Sequence, residues 1–190
     1  MAFPRIDNLI ERWATLYKPI SHDPTRGSKQ RRFYRFDSLE KAIDVTSSFT
    51  GFKTPVCGVV TQFDGVSHGK LMELEVIVFM FTKQVAPRSN ATDAEVAAVD
   101  AKYQGADMAN DLWVWLRDQK RQHGTNPKDE LYWLNGMDLD NIAIMSYPVM
   151  LNDWWPTTLE LKVNVPRNVC VDTSKYYEES VDSLTTNSSD

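Results

Sequence analysis

The sequence predicts an α+β fold, in which a single, mainly antiparallel sheet of four to five strands carries an N-terminal helix and a long central helix on one face. Three observations predict it. Residues 71–81, LMELEVIVFMF, form a long run of aliphatic and aromatic residues. Residues 6–17 and 92–124 repeat apolar residues every three or four positions, as amphipathic helices do. Residues 157–165, TTLELKVNV, alternate polar and apolar residues, as a strand with one buried face does.

The run Leu71–Phe81 is the expected centre of the sheet. Successive side chains of a strand point to opposite faces. One face of this run is wholly apolar: Met72, Leu74, Val76, Val78 and Met80. The other face changes from acidic to apolar along the strand: Glu73, Glu75, Ile77, Phe79 and Phe81. The strand is therefore predicted to start beside solvent and to end buried on both faces, which requires neighbouring strands and a helical cover.

Length and composition predict one domain. A chain of 190 residues with 42% apolar composition can build one ordinary core. We expect residues 1–171 to form a single α+β domain and residues 172–190 to form a flexible acidic tail rich in Ser and Thr. No run of about 18 uncharged apolar residues occurs, so no spanning helix and no membrane partner are expected. The first twelve residues become charged before a signal-like apolar core forms, so cytoplasmic synthesis is expected.

The charge is concentrated in the tail. The formal net charge is −5, and residues 172–190 hold five acidic side chains against Lys175 alone, a balance of −4. The remaining chain is close to neutral, so no global attraction to nucleic acid is expected. Any contact with DNA phosphates has to come from a local basic patch.

An amphipathic first helix is predicted by one apolar stripe: Ile6, Leu9, Ile10, Trp13, Leu16 and Tyr17. Pro19 biases the residue before it away from helix, so the helix is predicted to end near Tyr17. Residues 31–36, RRFYRF, then predict a short edge strand, whose charges discourage pairing with other chains. The alternative is that these arginines, with Phe33 and Tyr34 between them, grip phosphates or stack on bases. We favour the solvated edge.

A hairpin is predicted from about Val56 to Phe81, because a β-rich segment led by Thr54-Pro55 is joined to the central run through a loop containing glycine. The long helix is predicted to begin at Thr92, which with Glu95 has the positions of a capping box, and to end at Gly124. The stripe predicted to face the sheet is Val96, Val99, Tyr103, Ala106, Trp113 and Leu116, with Met108, Leu112 and Trp115 widening it. Gly105 predicts a bend or a close packing contact within this helix.

The last third of the chain predicts two paired strands. Residues 125–140 are expected to form a loop with one packed aromatic turn at Leu131–Leu134. Strands are expected at Asn141–Val149 and Thr157–Val165, paired antiparallel. Trp154 and Trp155 stand in the connection, either as lids on the core or as an exposed contact patch.

The motifs of nucleophilic, phosphate-binding and metal chemistry are missing from the sequence. It contains no GxSxG, Walker loop, GxGxxG, HExxH or paired CxxC motif. His22, His68 and His123 lie in separate segments, and Cys57 and Cys170 have no metal-type spacing. We therefore expect no catalytic residues, no cofactor and no metal.

The order of elements resembles the tail-terminator and tail-completion family of long-tailed bacteriophages, which is also found in contractile injection systems. The likeness is carried by the proline-led strand TPVCGVV at residues 54–60, the long strand Leu71–Phe81, the helix from Thr92 and the late strand ending WPTTLELKVNV at residue 165. It covers roughly residues 54–165, and more loosely 6–165. The segments 31–54 and 125–140 and the acidic tail are extra to the pattern.

The resemblance implies a structural protein that forms a ring, commonly a hexamer, which terminates the tail tube and joins it to the head or neck. The implied partners are other copies of the chain, tail-tube proteins and head or neck proteins, with DNA only as passing cargo. The implied location is the virion, assembled in the host cytoplasm. Subunit or partner contacts are expected from Arg31, Arg32, Phe33, Tyr34, Arg35, Trp154 and Trp155. A polar sheet face or lumen is expected from Glu73, Glu75, Glu160, Lys162 and Asn164.

Two other classes stay open at this point. One is a monomeric module that binds a ligand or peptide in a tryptophan-lined pocket. The other is a small hydrolase or transferase with a dispersed site around His68, Glu73 and Glu75. We rank the ring protein first, the binding module second and the enzyme third.

Overall fold

A computed structural model describes residues 5–27, 30–38, 40–42, 54–62, 67–68, 71–83, 91–147 and 154–166. These residues form a single mixed sheet with an N-terminal helix and a long central helix packed on it, so the predicted α+β class is confirmed. The predicted acidic tail, 172–190, lies outside the described residues.

The described elements follow the predicted order. The helices are α1 (Ile6–Leu16), α2 (Ala91–His123) and a short 3-10 helix at Tyr132–Gly136. The strands are β1 (Phe33–Phe36), β2 (Val56–Gln62), β3 (Ser67–His68), β4 (Leu71–Lys83), β5 (Met137–Ser146) and β6 (Trp154–Pro166). The sheet order is β1-β2-β4-β6-β5, and β3 pairs with the start of β4. Strand β1 is parallel to β2, and the other described pairs are antiparallel.

Strand β4 is the centre of the sheet, as predicted. It pairs with β2 on one side and with β6 along its full length on the other. On the face toward the helices its buried side chains are Leu74, Val76, Val78 and Met80. They belong to the main core, which also contains the inner sides of α1 and α2.

The opposite face of the sheet is divided into two halves. Toward the end of β4, an apolar half is buried and consists of Phe36, Val56, Val60, Phe79, Phe81 and Trp154, together with Ala42 from a helical turn at residues 40–42. Toward the start of β4, the face is polar. The change along the strand that the sequence predicts, from a solvated start to burial on both faces, is therefore present.

Helix α1 packs through the predicted stripe, with one exception. Ile6, Leu9, Ile10 and Trp13 are buried, but Leu16 is 63% exposed. Leu16 lies at the margin of the stripe in the last turn. The next residue, Tyr17, stacks on Trp13 with ring centroids 4.5 Å apart and takes the packing position instead.

The stripe predicted for α2 is wrong in its first half. Val96, Val99 and Tyr103 are 57%, 50% and 65% exposed. The buried face consists of Ala101, Gly105, Met108, Ala109, Leu112, Leu116 and Gln119. Small residues four positions apart, rather than the bulkiest apolar ones, let the helix approach the sheet.

Gly105 makes the closest approach of α2 to the sheet, which is the packing contact that the sequence predicted. A Cβ at this position would lie 2.5 Å from the Thr157 hydroxyl oxygen and 3.1 Å from the Thr157 Cβ. One turn earlier, the Thr82 hydroxyl donates a hydrogen bond to the Ala101 carbonyl at 2.6 Å. The Thr82 hydroxyl thus joins the helix to the sheet, and at Gly105 the helix has no side chain that would hold the two apart.

Strand β5 begins earlier than predicted, at Met137 instead of Asn141. The sequence DLDN looks like a turn because the Asp138 carboxylate accepts hydrogen bonds from the backbone of Asp140 and Asn141. This turn is a register break inside the strand, between Asp138 and Ala143. Beyond it, residues 141–147 carry no charge, and among the described strands β5 pairs with β6 alone.

We predict that Gly105→Ala lowers the free energy of unfolding by about 1–2 kcal/mol. Overpacking against buried Thr157 costs typically about 1–3 kcal/mol, and this exceeds the roughly 1 kcal/mol by which alanine favours a helix. In a Thr157→Ala background the hydroxyl is absent and the same change should be neutral or stabilising. Urea unfolding of the four proteins of this cycle measures the coupling.

Asn110→Ala is the matched control, because Asn110 is exposed on the same helix. It should change stability by no more than helix propensity allows, a few tenths of a kcal/mol. A Gly105→Ala protein more stable than the parent in both backgrounds would contradict the close contact.

Candidate functional site

The basic segment 31–36 is used largely within the chain. Phe33 is buried in the main core against the helices. Tyr34 is half-buried beside the apolar half of the opposite face, and burial raises its pKa to about 12. The Arg32 guanidinium donates to the carbonyls of Pro19 and Ile20. Arg31 is exposed, and its Nε donates to the Arg26 carbonyl at 3.0 Å.

Arg35 joins β1 to α1 through two carboxylates. Its Nε lies 2.8 Å from the Asp7 carboxylate, and a terminal nitrogen lies 2.6 Å from the Glu11 carboxylate. Arg5 also binds Asp7, at 2.9 Å. The hydrogen bond from Arg5, with help from Arg35, lowers the pKa of Asp7 to about 2, although burial opposes the shift. Burial by itself raises the pKa of Glu11, but Arg35 and His22 together outweigh burial and lower the pKa of that carboxyl.

His22 extends this network into the core. Its side chain is almost fully buried, and its Nδ1 accepts a hydrogen bond from the Arg32 backbone N–H at 3.3 Å. Nδ1 is therefore unprotonated, so Nε2 carries the proton and faces the Glu11 carboxylate at 3.4 Å. Burial lowers the pKa of His22, and Glu11 offsets only part of that shift.

The two tryptophans at the start of β6 lie on opposite faces of the sheet. Trp154 is fully buried in the apolar half, with the Lys83 ammonium 5.9 Å from its ring centroid. Trp155 is half-buried opposite Thr82, to which its carbonyl is hydrogen bonded. Trp154, like Phe33, is therefore a core residue and presents no surface to a partner. Trp154 was interpreted either as a lid on the core or as part of an exposed contact patch, and its burial agrees with the lid on the core.

The register places the five predicted polar-face residues together on the face opposite the helices. Glu73 is paired with Asn164, Glu75 with Lys162 and Ile77 with Glu160. The Lys162 ammonium lies 2.9 Å from the Glu73 carboxylate and 3.8 Å from that of Glu75. The hydrogen bond to Glu73 raises the pKa of Lys162.

This polar half is an acidic surface with one cation. Asp138 adds a fourth carboxylate, since it is paired with Lys162 from the β5 side. The surface is partly to fully exposed: Glu75 and Lys162 are exposed, and Glu73, Glu160 and Asn164 are intermediate. Such a surface disfavours polyanions.

Two clefts flank α1. The first, of about 450 Å³, lies at the basic segment and is lined by Glu11, His22, Pro24, Arg31, Phe33, Tyr34 and Arg35. The second, of about 500 Å³, lies between the end of α1 and helix α2 and is lined by Tyr17, Pro19, Asp100, Tyr103, Gln104, Asp107, Met108 and Asp111. In the second cleft the Tyr17 hydroxyl donates to the Asp111 carboxylate at 2.6 Å. Burial and this carboxylate raise the pKa of Tyr17.

No protein-family model matches the sequence, and no curated protein matches it either.

The structure brings only some of the residues of the enzyme hypothesis close together. Glu73 and Glu75 share the sheet face, and both lie beside the Lys162 ammonium, at 2.9 Å and 3.8 Å. The backbone of His68 pairs with Leu71 at the start of β4. Among the described residues no group of three His, Cys, Asp or Glu side chains could hold a metal ion. Burial raises the pKa of Cys57, which keeps it a thiol in the core.

The other tryptophans take part in packing. The Trp113 indole N–H donates to the Leu139 carbonyl at 2.9 Å, and the Arg117 guanidinium lies 4.9 Å from its ring centroid. Trp133 packs half-buried on the main core within the 3-10 helix. Neither of the two clefts beside α1 is lined by tryptophan.

No helix in the described part of the chain is long and apolar enough to cross a membrane.

Sequence reasoning missed both carboxylate partners of Arg35 and the acidic cleft. Asp7 and Glu11 are four positions apart, so they share one face of α1, and that spacing beside an arginine-rich strand was a usable signal. The acidic residues of α2 follow a helical stripe as well: Asp100, Asp107 and Asp111. Which elements these stripes face depends on the tertiary arrangement.

We predict that His22 makes stability rise with pH. Burial holds its folded-state pKa below the ordinary 6.5. The unfolded chain therefore binds the proton more readily, and the contribution of His22, complete above 6.5, is lost as pH falls. The carboxyl groups that face His22, Glu11 and Asp23, have lowered pKa values and stay ionised across this range, and the Arg31 guanidinium faces the same ring.

His22→Gln removes the titration while keeping a polar side chain. The free energy of unfolding, measured with urea from pH 5 to pH 8, should depend less on pH in the variant than in the parent. Equal slopes in the two proteins would show that His22 is not held neutral by the fold.

Proposed function

We propose that this protein is a structural protein of a phage tail or a tail-like machine, in which copies of the chain form a ring that terminates the tail tube and joins it to the head or neck. The order of elements that carries the resemblance to tail-terminator proteins supports the proposal. The α+β architecture, with both helices on one face of the sheet, is the one that this resemblance implies.

The observation that carries the proposal is the acidic half of the sheet face opposite the helices. A ring subunit needs one surface toward the lumen, one toward the outside and two unlike lateral surfaces. The polar half, with Glu73, Glu75 and Glu160 around Lys162, is partly to fully exposed to solvent. Facing a lumen, such a surface would repel DNA phosphates and let DNA pass without adhering.

The partners of the proposed ring are further copies of the chain, six in the arrangement implied by the resemblance, the tail tube below and head or neck proteins above. The proposed location is the virion, with assembly in the host cytoplasm. The arginines Arg31 and Arg35 remain candidates for subunit or partner contacts, since both are exposed on β1 or beside it. The proposal assigns no catalytic step, cofactor or metal to the chain.

We predict that purified protein, alone or with its tail-tube protein, forms closed annuli in negative-stain microscopy. Size-exclusion chromatography with light scattering should give a mass that is an integral multiple of 21.8 kDa. Annuli should cap the ends of tube-protein polymers and limit their growth.

A chain that stays monomeric both alone and with the tube protein would contradict the proposal. If such a monomer also changed its tryptophan fluorescence on adding a ligand or peptide, the monomeric binding module would be the better assignment. Tube-length distributions measured with and without the protein provide the internal control, since a protein that binds tubes only along their sides leaves their length unchanged.

A further inference from the structure

The outward face of α2 carries an exposed apolar stripe beside acidic residues. Val96, Val99 and Tyr103 follow one another at helical spacing and are half to two-thirds exposed. They lie on the side of the helix away from Ala101 and Gly105, which contact the sheet. An amphipathic helix ordinarily exposes polar residues there. A contiguous apolar stripe on a solvent face marks an interaction surface.

The margin of this stripe is acidic. Asp100, Asp107 and Asp111 line the 500 Å³ cleft between α2 and the end of α1, next to Tyr103. Asp111 is occupied by the Tyr17 hydroxyl, whereas Asp100 and Asp107 are exposed and make no ion pair within the described part of the chain. Residues 95–111 carry four acidic side chains and one lysine, a net charge of −3. The partner of this surface should therefore combine positive charge with apolar or aromatic groups.

The same chain carries a surface of that chemistry on the other side of α1. The described residues between 5 and 37 hold seven basic and four acidic side chains, a net charge of +3. Arg31 stands at its rim, exposed and without a carboxylate partner among the described residues, in the cleft that also contains Pro24 and Tyr34. Tyr17 lines the acidic cleft and Glu11 lines the basic one, so α1 separates the two surfaces.

We propose that copies of this chain associate head to tail, with the stripe and acidic cleft of α2 on one copy receiving the basic cleft at β1 of the next. The two surfaces are different and complementary, so the contact is heterologous and repeats around a ring when the rotation closes. This inference rests on the proposed function to the extent that it assigns the lateral contact of the ring. The charge match selects a second copy as the occupant over an uncharged peptide.

The test reverses one charge on each surface. Asp107→Lys and Arg31→Glu should each weaken self-association by about tenfold or more, since each places like charges across the contact. An equimolar mixture of the two variants restores opposite charges at every contact and should recover association. Self-association of the parent should weaken as salt rises from 50 to 500 mM. Sedimentation equilibrium over a concentration series measures all of these.

The matched controls are Glu130→Lys and Lys128→Glu, which reverse exposed charges in the turn after α2. They should leave association unchanged. Tyr103→Ser should weaken association without changing the salt dependence, because it removes apolar contact and no charge. Circular dichroism melting of every variant verifies that the fold is intact.

Association unaffected by Asp107→Lys and Arg31→Glu, or not restored in their mixture, would overturn the head-to-tail contact, as would a monomer at every concentration and salt. The outcome is separable from that of the proposed function. Annuli that form equally well from both variants would keep the ring and reject this interface. Charge-dependent association of a protein that never caps tail tubes would keep the interface and reject the tail function.

Discussion

Strand β4 has to bury two faces at its end and only one at its start, and the arrangement of the rest of the molecule follows from that requirement. Its flanks are paired with β2 and β6, so its backbone groups are satisfied without solvent. On one face the helices cover Leu74 through Met80. On the other face Phe79 and Phe81 are covered, while Glu73 and Glu75 are not. The acidic half of that face stays open to solvent because only the apolar half has to be covered by other side chains.

The position of α1 depends on charge as well as on apolar packing. Isolated surface ion pairs are worth about 0–1 kcal/mol, but Asp7 is buried, and loss of Arg35 would leave its carboxylate short of a partner. His22 adds a hydrogen bond between the segment after α1 and the backbone of Arg32. The network therefore fixes α1 between the two clefts, one basic and one acidic. The separation of charge on the surface is a consequence of how the interior polar groups are satisfied.

The fold could be predicted from the sequence because the alternation of β4 and β6 determines which side chains share a face. Glu73, Glu75, Glu160, Lys162 and Asn164 were grouped correctly on geometry alone, whereas the contact of Lys162 with Glu73 required the strand register. The packing face of the first half of α2 was missed because bulk was given more weight than spacing, whereas Met108, Leu112 and Leu116 in the second half are buried as predicted. Ala101, Gly105 and Ala109 recur every fourth residue, a pattern suited to close approach, but they contribute little to a hydrophobic stripe.

The contacts of the basic segment 31–36 could not be predicted from its neighbours in the sequence. Its carboxylate partners on α1 precede Arg35 by 24 and 28 positions. The pairing of β1 with β2, which buries Phe33 opposite Cys57, likewise joins segments that are distant in the sequence. Sequence spacing identifies an arginine-rich strand. Only the tertiary arrangement shows that the guanidinium groups of Arg32 and Arg35 hold the chain together, whereas exposed Arg31 contacts the Arg26 carbonyl and no carboxylate among the described residues.

The C-terminal part of β5 has a consequence for the handling of this protein. Its residues 141–147 lack charge, proline and glycine, and Ile144, Met145 and Tyr147 are exposed to between 37% and 41%. Among the described strands β5 pairs on one side only, and an edge of this composition is a template onto which an extended polypeptide can add itself. Newly made chains are therefore at risk of pairing with one another through this edge as they accumulate.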